Sequence, residues 1–223
     1  MMIRTAVLGM FFALMLTALA GVGVCIDEDD AYFEPEKDDF LQIQIVDGRV
    51  LALRNKKPSA PVALDFGEEV LMTEEEGRMG AVVTDERLLA VSTASGDWQS
   101  EPLEFGEAEA AELMVGENVV LLLTNERILG FGGAENRFAA FDLALYDRAV
   151  AYDVGKNIGV VVLPDRAVGF SAATGRFSEI EFFVDSFDFL EVAATLALVH
   201  TDDSIHIYHA STGTWSTRSN SGR

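Results

Sequence analysis

A tripeptide that ends in arginine in four of its five copies recurs along the chain. The last residues of successive copies are 38, 40, 39 and 38 positions apart. Self-similarity at a fixed period of about 20 to 50 residues is typical of folds that repeat one small supersecondary unit. The sequence therefore contains five repeats of roughly 39 residues each. The copies are Asp47-Gly48-Arg49, Asp85-Glu86-Arg87, Asn125-Glu126-Arg127, Pro164-Asp165-Arg166 and the degenerate Asp202-Asp203-Ser204.

Two further features repeat in phase with the tripeptide. An aromatic residue follows its last position by eleven residues, and a glycine or asparagine precedes that aromatic by two. Asparagine is the residue that best replaces glycine at positive φ, so this position predicts a left-handed turn. A glycine or alanine also precedes the end of the tripeptide by ten or eleven residues. The three sets are Trp98, Phe138, Phe177 and Trp215; Gly96, Asn136, Gly175 and Gly213; and Gly77, Gly116, Gly155 and Ala194.

Each tripeptide lies between two short aliphatic runs, such as residues 81–84 and 88–91. Two such runs around a short turn containing Asp or Asn predict a β-hairpin. The segments 99–105 and 178–182 alternate between polar and apolar residues, which predicts an outer strand with one face in water. The second run also has a small residue, suited to close approach of a neighbouring sheet, at Ala52, Ala90, Gly130 and Gly169.

These elements amount to about four antiparallel strands per repeat, which is the content of a propeller blade. The predicted fold is all-β: a β-propeller of about five four-stranded blades, of which the first is incomplete. The first repeat begins near Phe40 at its second strand, so its innermost strand must come from residues 31–39 or be absent. A stacked, open β-solenoid is the structural alternative.

The third strand and the following turn resemble the closing half of a kelch repeat. In the last repeat Tyr208 is followed seven residues later by Trp215 across a Thr-Gly turn. The Gly-Gly doublet that follows the second strand of kelch repeats is absent from the matching positions, and these repeats are shorter. Quinoprotein-like blades look similar too, and the chain is similar to exported bacterial propellers of unassigned role. The same spacing of seven joins Val91 to Trp98, Phe131 to Phe138 and Phe170 to Phe177.

The N-terminus predicts export. Arg4 precedes an apolar run, and Ala18-Leu19-Ala20 supplies the small-x-small pattern of a cleavage site, so residues 1–20 are interpreted as a signal peptide. Two alternatives remain: residues 5–26 could be an uncleaved membrane anchor, or Cys25 could be lipidated. Residues 21–39 are predicted to be an acidic tether, residues 40–217 the propeller, and residues 218–223 a tail.

The charge of the chain restricts its partners. It has 37 acidic against 16 basic side chains and a formal net charge of −21. A polyanion would be repelled by such a surface, so nucleic acid is not expected as a partner. The partner is expected to be a protein or a neutral or cationic ligand, and a membrane is expected only through an N-terminal anchor.

No residues are assigned as catalytic, cofactor-binding or metal-binding, and no cofactor is expected. The repeated tripeptides could form a binding ring, but capping of hairpin turns, with arginine paired to an acid of a neighbouring blade, is the preferred interpretation. The aromatics in the turns are predicted to pack between blades. His200, His206 and His209 are crowded in sequence, but strand geometry places His206 on the opposite face from the other two.

The leading functional hypothesis is an extracytoplasmic binding or scaffold propeller without catalysis. The runner-up is a hydrolase or lyase acting on an envelope polysaccharide, with carboxylates of raised pKa in the central channel. A glycan-binding lectin is a third hypothesis, and it requires the turn aromatics to be exposed.

Overall fold

The computed structural model of the chain describes residues 41–54, 57–183 and 186–219. Within these ranges nearly all regular structure is β-strand, with a single 3-10 turn at Ala108–Ala110. The strands are β1 Leu41–Val46, β2 Arg49–Arg54, β3 Lys57–Pro58, β4 Val62–Ala63, β5 Val70–Glu76, β6 Met79–Thr84, β7 Arg87–Ser92, β8 Trp98–Pro102, β9 Glu112–Val115, β10 Val119–Leu123, β11 Arg127–Gly132, β12 Arg137–Asp142, β13 Ala151–Val154, β14 Ile158–Val162, β15 Arg166–Ser171, β16 Arg176–Glu181, β17 Phe187–Val192, β18 Leu196–Thr201, β19 Ser204–His209 and β20 Thr214–Ser219.

These strands form five antiparallel four-stranded sheets, one per repeat. The second to fifth sheets run in chain order, β5-β6-β7-β8, β9 to β12, β13 to β16 and β17 to β20. In each of them the tripeptide is the turn between the second and third strands, as the hairpin pattern predicted. The fold is a β-propeller with five blades, which confirms the fold class.

The first blade is incomplete, also as predicted. Its strands β1 and β2 flank the first tripeptide and so correspond to the second and third strands of the other blades. The short strands β3 and β4 both pair with β2 on its outer side. The residues predicted to supply the innermost strand, 31–39, lie outside the described part of the chain, as do the predicted signal peptide and the whole predicted tether, 21–39.

The middle strands of the second, third and fourth blades are buried on both faces, because each sheet is sandwiched between two neighbours. Apolar cores connect each blade to the next: Leu88 of the second blade shares a core with Phe131 of the third, and Val160 of the fourth with Tyr208 of the fifth. Among the described residues no such core joins the fifth blade to the first. Strand β19 of the fifth blade accordingly alternates between buried and half-buried residues.

The predicted small residues are the contact points between blades. A β-carbon built on Gly130 would lie 2.6 Å from the ring of Phe170 in the next blade, and one built on Gly169 would lie 2.7 Å from the ring of Tyr208. Real β-carbons do not approach other atoms this closely, so these glycines are slots that receive an aromatic ring from the following blade.

The turn aromatics pack between blades, as the packing interpretation predicted. Phe138 lies 5.0 Å from Phe131, measured between ring centroids, and Trp215 lies 4.9 Å from Tyr208. All four turn aromatics are half-buried against an inter-blade core. The glycine or asparagine two residues before each has positive φ, at Gly96, Asn136, Gly175 and Gly213.

The outer strands end earlier than the alternating pattern predicted. Strand β8 ends at Pro102, so Phe105 belongs to the following loop and not to the strand. The reason is a tight turn: the N–H of Glu107 donates to the carbonyl of Glu104, and the Glu107 carboxylate accepts from the N–H of Glu104. Gly106 provides the positive φ of +85° that this turn requires.

We expect the substitution Gly130→Ala to reduce the free energy of unfolding by about 1–3 kcal/mol, because the added methyl group overlaps the Phe170 ring. Urea unfolding of Gly130→Ala, Phe170→Leu and the double variant forms a thermodynamic cycle. A favourable coupling of about 1 kcal/mol is expected, since the smaller side chain relieves the overlap. Strictly additive effects would show that the two residues do not share a slot.

Candidate functional site

One end of the blades carries both the tripeptide turns and the loops that connect one blade to the next. We call this end the arginine face. Main-chain hydrogen bonds tie the turn 84–87 to both neighbouring loops: the N–H of Asp85 donates to the carbonyl of Glu69, and the N–H of Leu103 donates to the carbonyl of Glu86. The turn 124–127 is tied in the same way to the following loop, where the N–H of Leu143 donates to the carbonyl of Glu126. The arginine face comprises the turns 84–87, 124–127, 163–166 and 201–204 and the loops 64–69, 103–111, 143–150, 182–183 and 186.

The tripeptide arginine forms a two-point ion pair with a carboxylate of the loop that enters its own blade. Arg87 Nε and Nη2 each lie 2.8 Å from a carboxylate oxygen of Glu68. Arg127 contacts Glu107 in the same way, at 2.9 Å for both nitrogens. The Glu68 side chain is 0% exposed and that of Arg87 is 20% exposed. We call each such pair, with its turn and loop, a clamp.

The third clamp is a variation on the first two. Arg166 Nη2 lies 2.5 Å from Asp147, while Asp165 and Glu179 provide additional carboxylates near the guanidinium. In the fifth blade Ser204 replaces the arginine, and its hydroxyl bonds to that of Thr201. The turns 84–87 and 124–127 are capped by the hydroxyls of Thr84 and Thr124, the residues directly before the tripeptides. The two-point ion pair of each arginine is made with the loop that enters its own blade, and Arg127 also lies 3.5 Å from Glu101 on the outer strand of the preceding blade, in line with the predicted pairing to a neighbouring blade's acid.

The clamps change the acidity of their carboxyl groups. Burial disfavours the charged form of Glu107, but hydrogen bonds from Arg127, from the N–H of Glu104 and from the Thr124 hydroxyl outweigh it, so the pKa of Glu107 falls below its ordinary value. The pKa of Glu68 is lowered in the same way by the same kinds of partner. Both carboxylates are therefore charged, structural groups at neutral pH.

The loops of the arginine face also carry large apolar side chains that are exposed to solvent. Phe66 and Phe105 have exposed fractions of 107% and 103%, which means that nothing in the described structure covers them. They occupy the same position in successive loops, 39 residues apart and two residues before the clamp carboxylate. The equivalent loops carry Leu145 and Tyr146, and Phe183, which are also exposed. We call these five residues the apolar tips.

Sequence analysis did not identify the apolar tips. The available signal was the repeated Phe-Gly-Glu at residues 66–68 and 105–107, in phase with the tripeptide. Single exposed apolar residues are ordinary, but a row with one or two in each of four successive loops is typical of an interaction surface.

A cleft of about 820 Å³ opens on the arginine face between the third and fourth blades. Its half-buried apolar wall includes Leu143, Ala149 and Tyr152, and polar residues such as Thr124 and Asp147 line it beside them. The Tyr152 hydroxyl donates a hydrogen bond to the carboxylate of Glu112 across the two inner strands, and this bond, together with burial, raises the pKa of Tyr152 to about 12. The Leu145 tip also lines the cleft.

Carboxylates and histidines show no ready metal site in the described ranges. Oxygens of Asp65, Glu68 and Glu86 lie within 4.8 Å of one another, but both oxygens of Glu68 are already bound by Arg87. His206 is buried between Ser204 and Thr217 on the face opposite His200, as the strand geometry predicted.

No protein-family model matches the sequence, and no curated protein matches it. Among solved structures, BamB from Moraxella catarrhalis is 16% identical, with a TM-score of 0.35 over 82% of this chain and 62% of that one. BBS1N in complex with ARL6DN is 12% identical, with a TM-score of 0.36 over 82% and 64%. The N-terminal domain of Nup159 is 12% identical, with a TM-score of 0.35 over 81% and 58%. The chain thus spans less than two thirds of the length of each of these structures.

Across the ranges that the structure describes, no helix is long and apolar enough to cross a membrane. The predicted anchor at residues 5–26 lies outside those ranges.

We expect Glu107→Gln to lower the free energy of unfolding at pH 7 by about 2–3 kcal/mol, because it removes charge-assisted hydrogen bonds from a carboxylate with no exposed surface. Glu109→Gln, an exposed change in the same loop, is the control and should shift stability by less than about 0.5 kcal/mol. Chemical denaturation measures both. Equal losses in the two variants would mean that the clamp contributes nothing specific.

The pH dependence provides a separate prediction. The pKa of Glu107 in the folded protein lies below its value in the unfolded chain, so the unfolded chain binds more protons as pH falls. The clamp's contribution to the free energy of unfolding is therefore lost as pH falls through the folded pKa. The stability difference between the wild type and Glu107→Gln should therefore narrow as pH falls below about 4. A difference that stays constant from pH 7 to pH 3 would contradict this assignment.

Proposed function

We propose that this chain is a non-catalytic binding propeller whose arginine face holds a protein partner. The observation that carries the proposal is the row of apolar tips on loops that the clamps and main-chain hydrogen bonds fix in place. A row of solvent-exposed apolar side chains is costly to keep in water unless a partner covers it. Because the loops are already ordered, binding would require little loss of conformational entropy.

The charge of the surrounding surface indicates the chemistry of the partner. Asp85, Glu86 and Glu126 are exposed on the tripeptide turns, whereas Arg87 and Arg127 are neutralised within their clamps. A basic protein surface with apolar residues complements this arrangement. Anionic membranes and nucleic acids would be repelled by it, although the tips alone resemble residues that insert into lipid.

The proposed location is extracytoplasmic. It rests on the predicted signal peptide at residues 1–20, with retention through residues 5–26 or a lipidated Cys25 as alternative forms of attachment. The acidic segment 21–39 would then separate the propeller from the membrane.

No feature of the described structure favours the lectin or the hydrolase hypothesis. The lectin hypothesis requires exposed turn aromatics, whereas Phe138 and Trp215 pack into inter-blade cores. A general acid in a hydrolase requires a raised carboxyl pKa, and the pKa values of Glu68 and Glu107 move in the opposite direction.

The triple variant Phe66→Ser, Phe105→Ser, Phe183→Ser tests the proposal. We expect its thermal unfolding to be close to that of the wild type, because Phe66 and Phe105 are fully exposed and Phe183 is 79% exposed in the folded state. A protein in an extract of the producing cells should crosslink stoichiometrically to the wild type and not to the triple variant. In purified form, this protein should bind the variant at least about tenfold more weakly than it binds the wild type, as measured by calorimetry.

Two controls make the result specific. Leu196→Ser removes an exposed apolar residue at the opposite end of the fifth blade and should leave binding unchanged. Flotation with phosphatidylcholine and phosphatidylglycerol vesicles tests the lipid alternative. Equal capture by the triple variant and the wild type, or flotation that depends on the tips, would overturn the protein-binding proposal.

A further inference from the structure

The cleft between the third and fourth blades differs from the rest of the arginine face because it combines depth with the apolar tips. Its volume of about 820 Å³ is within the range that accommodates a bulky ligand group. Leu143, Ala149 and Tyr152 are half-buried in the wall and pack against the core shared by these two blades. This core supports the wall from behind, so the cleft is part of the folded structure and not a gap between independent loops.

Carboxylates surround this apolar lining. Glu104, Glu126 and Asp142 all line the cleft and are exposed. Two arginines line it as well, but Arg127 is neutralised by Glu107 and has Glu101 at 3.5 Å. Glu112 also lines the cleft and is exposed, with its carboxylate accepting from Tyr152, so Arg148 is the one other cation in the lining against four exposed carboxylates, and the exposed part of the cleft is acidic.

An apolar wall formed by Leu143, Ala149 and Tyr152, beside exposed carboxylates, is complementary to one type of peptide. A large aliphatic or aromatic side chain would leave water to pack against this wall, and lysine or arginine residues on either side would meet Glu104, Glu126 and Asp142. The Leu145 tip lines the cleft itself and Phe105 belongs to the neighbouring loop, so further apolar residues of the same segment have a place to pack. An acidic segment would meet the same carboxylates and be repelled.

We infer that the cleft between the third and fourth blades docks a basic peptide segment of the partner, with one bulky apolar side chain inserted and flanking basic residues paired to the exposed carboxylates. This inference rests on the proposed function and adds to it the position of the main contact and the composition of the partner segment. The clamp between Arg127 and Glu107 forms part of the adjoining loop and holds that side of the cleft in shape.

A phage-displayed library of random twelve-residue peptides provides an unbiased probe. Selection on the full-length protein should enrich sequences in which a Leu, Phe or Trp has Lys or Arg near it. The affinity of the synthesised peptides should fall as salt is raised from 50 to about 500 mM, because exposed ion pairs are screened. No enrichment, or enrichment of acidic sequences, would overturn the inference.

Two substitutions locate the binding. Ala110 lines the cleft and is exposed, so Ala110→Trp should block the cleft without disturbing the core and weaken peptide binding by at least about tenfold. Glu126→Lys should weaken it by about three- to tenfold and reduce its salt dependence. The matched controls are Ala94→Trp and Asp97→Lys on an exposed turn at the other end of the second blade, and both should bind as the wild type does.

The comparison with the triple tip variant separates this inference from the proposed function. If Ala110→Trp binds the enriched peptides as tightly as the wild type while the triple variant does not, the arginine face binds peptides but the cleft does not, and the inference is wrong. If neither variant weakens binding, the proposed function fails together with the inference. Circular dichroism and thermal unfolding confirm that each variant is folded before its affinity is compared.

Discussion

The ion pair between the arginine of a hairpin turn and a buried carboxylate of the preceding loop is the interaction on which the arginine face depends. The pairs Arg87–Glu68 and Arg127–Glu107 join the third strand of a blade to the loop through which the chain enters that blade. A loop of this kind would otherwise be the most variable part of a propeller. Because its carboxylate is buried and hydrogen-bonded, the clamp constrains the loop backbone that carries the phenylalanine two residues earlier.

Stability and recognition thus use different surfaces of the same repeat. The small residue of the third strand, such as Gly130, receives the ring of the next blade and builds the inter-blade core. The loops at one end of the sheets also contribute residues to these cores, such as Ala108 and Leu143, whereas their apolar tips, such as Phe105, are exposed. The terminal blades show the limit of this arrangement. Gln42 and Gln44 of the first blade occupy positions where Val120 and Leu122 of the third blade are fully buried.

The architecture could be predicted from sequence because its signals are local and repeated. The tripeptide predicted the hairpin, and the replacement of glycine by Asn136 predicted a left-handed turn. The proposed binding surface could not be predicted for equally physical reasons. Phe105 is the last residue of the alternating segment 99–105, which predicts a half-buried strand. In the structure the turn formed by Glu104 and Glu107 ends the strand before Phe105. The partner of Arg127 is one among 37 acidic residues, and the cleft depends on distances that spacing alone does not supply.

The central claim is that the arginine face is where the partner binds. The most direct measurement replaces Phe105 by the photoreactive analogue p-benzoylphenylalanine, which keeps an exposed aromatic ring at the tip, and identifies what it crosslinks under native conditions. The same analogue at Leu196, at the opposite end of the fifth blade, is the matched reference. We predict one protein crosslinked through Phe105, on a basic and apolar segment, and none through Leu196. A partner captured only from position 196 would contradict the account.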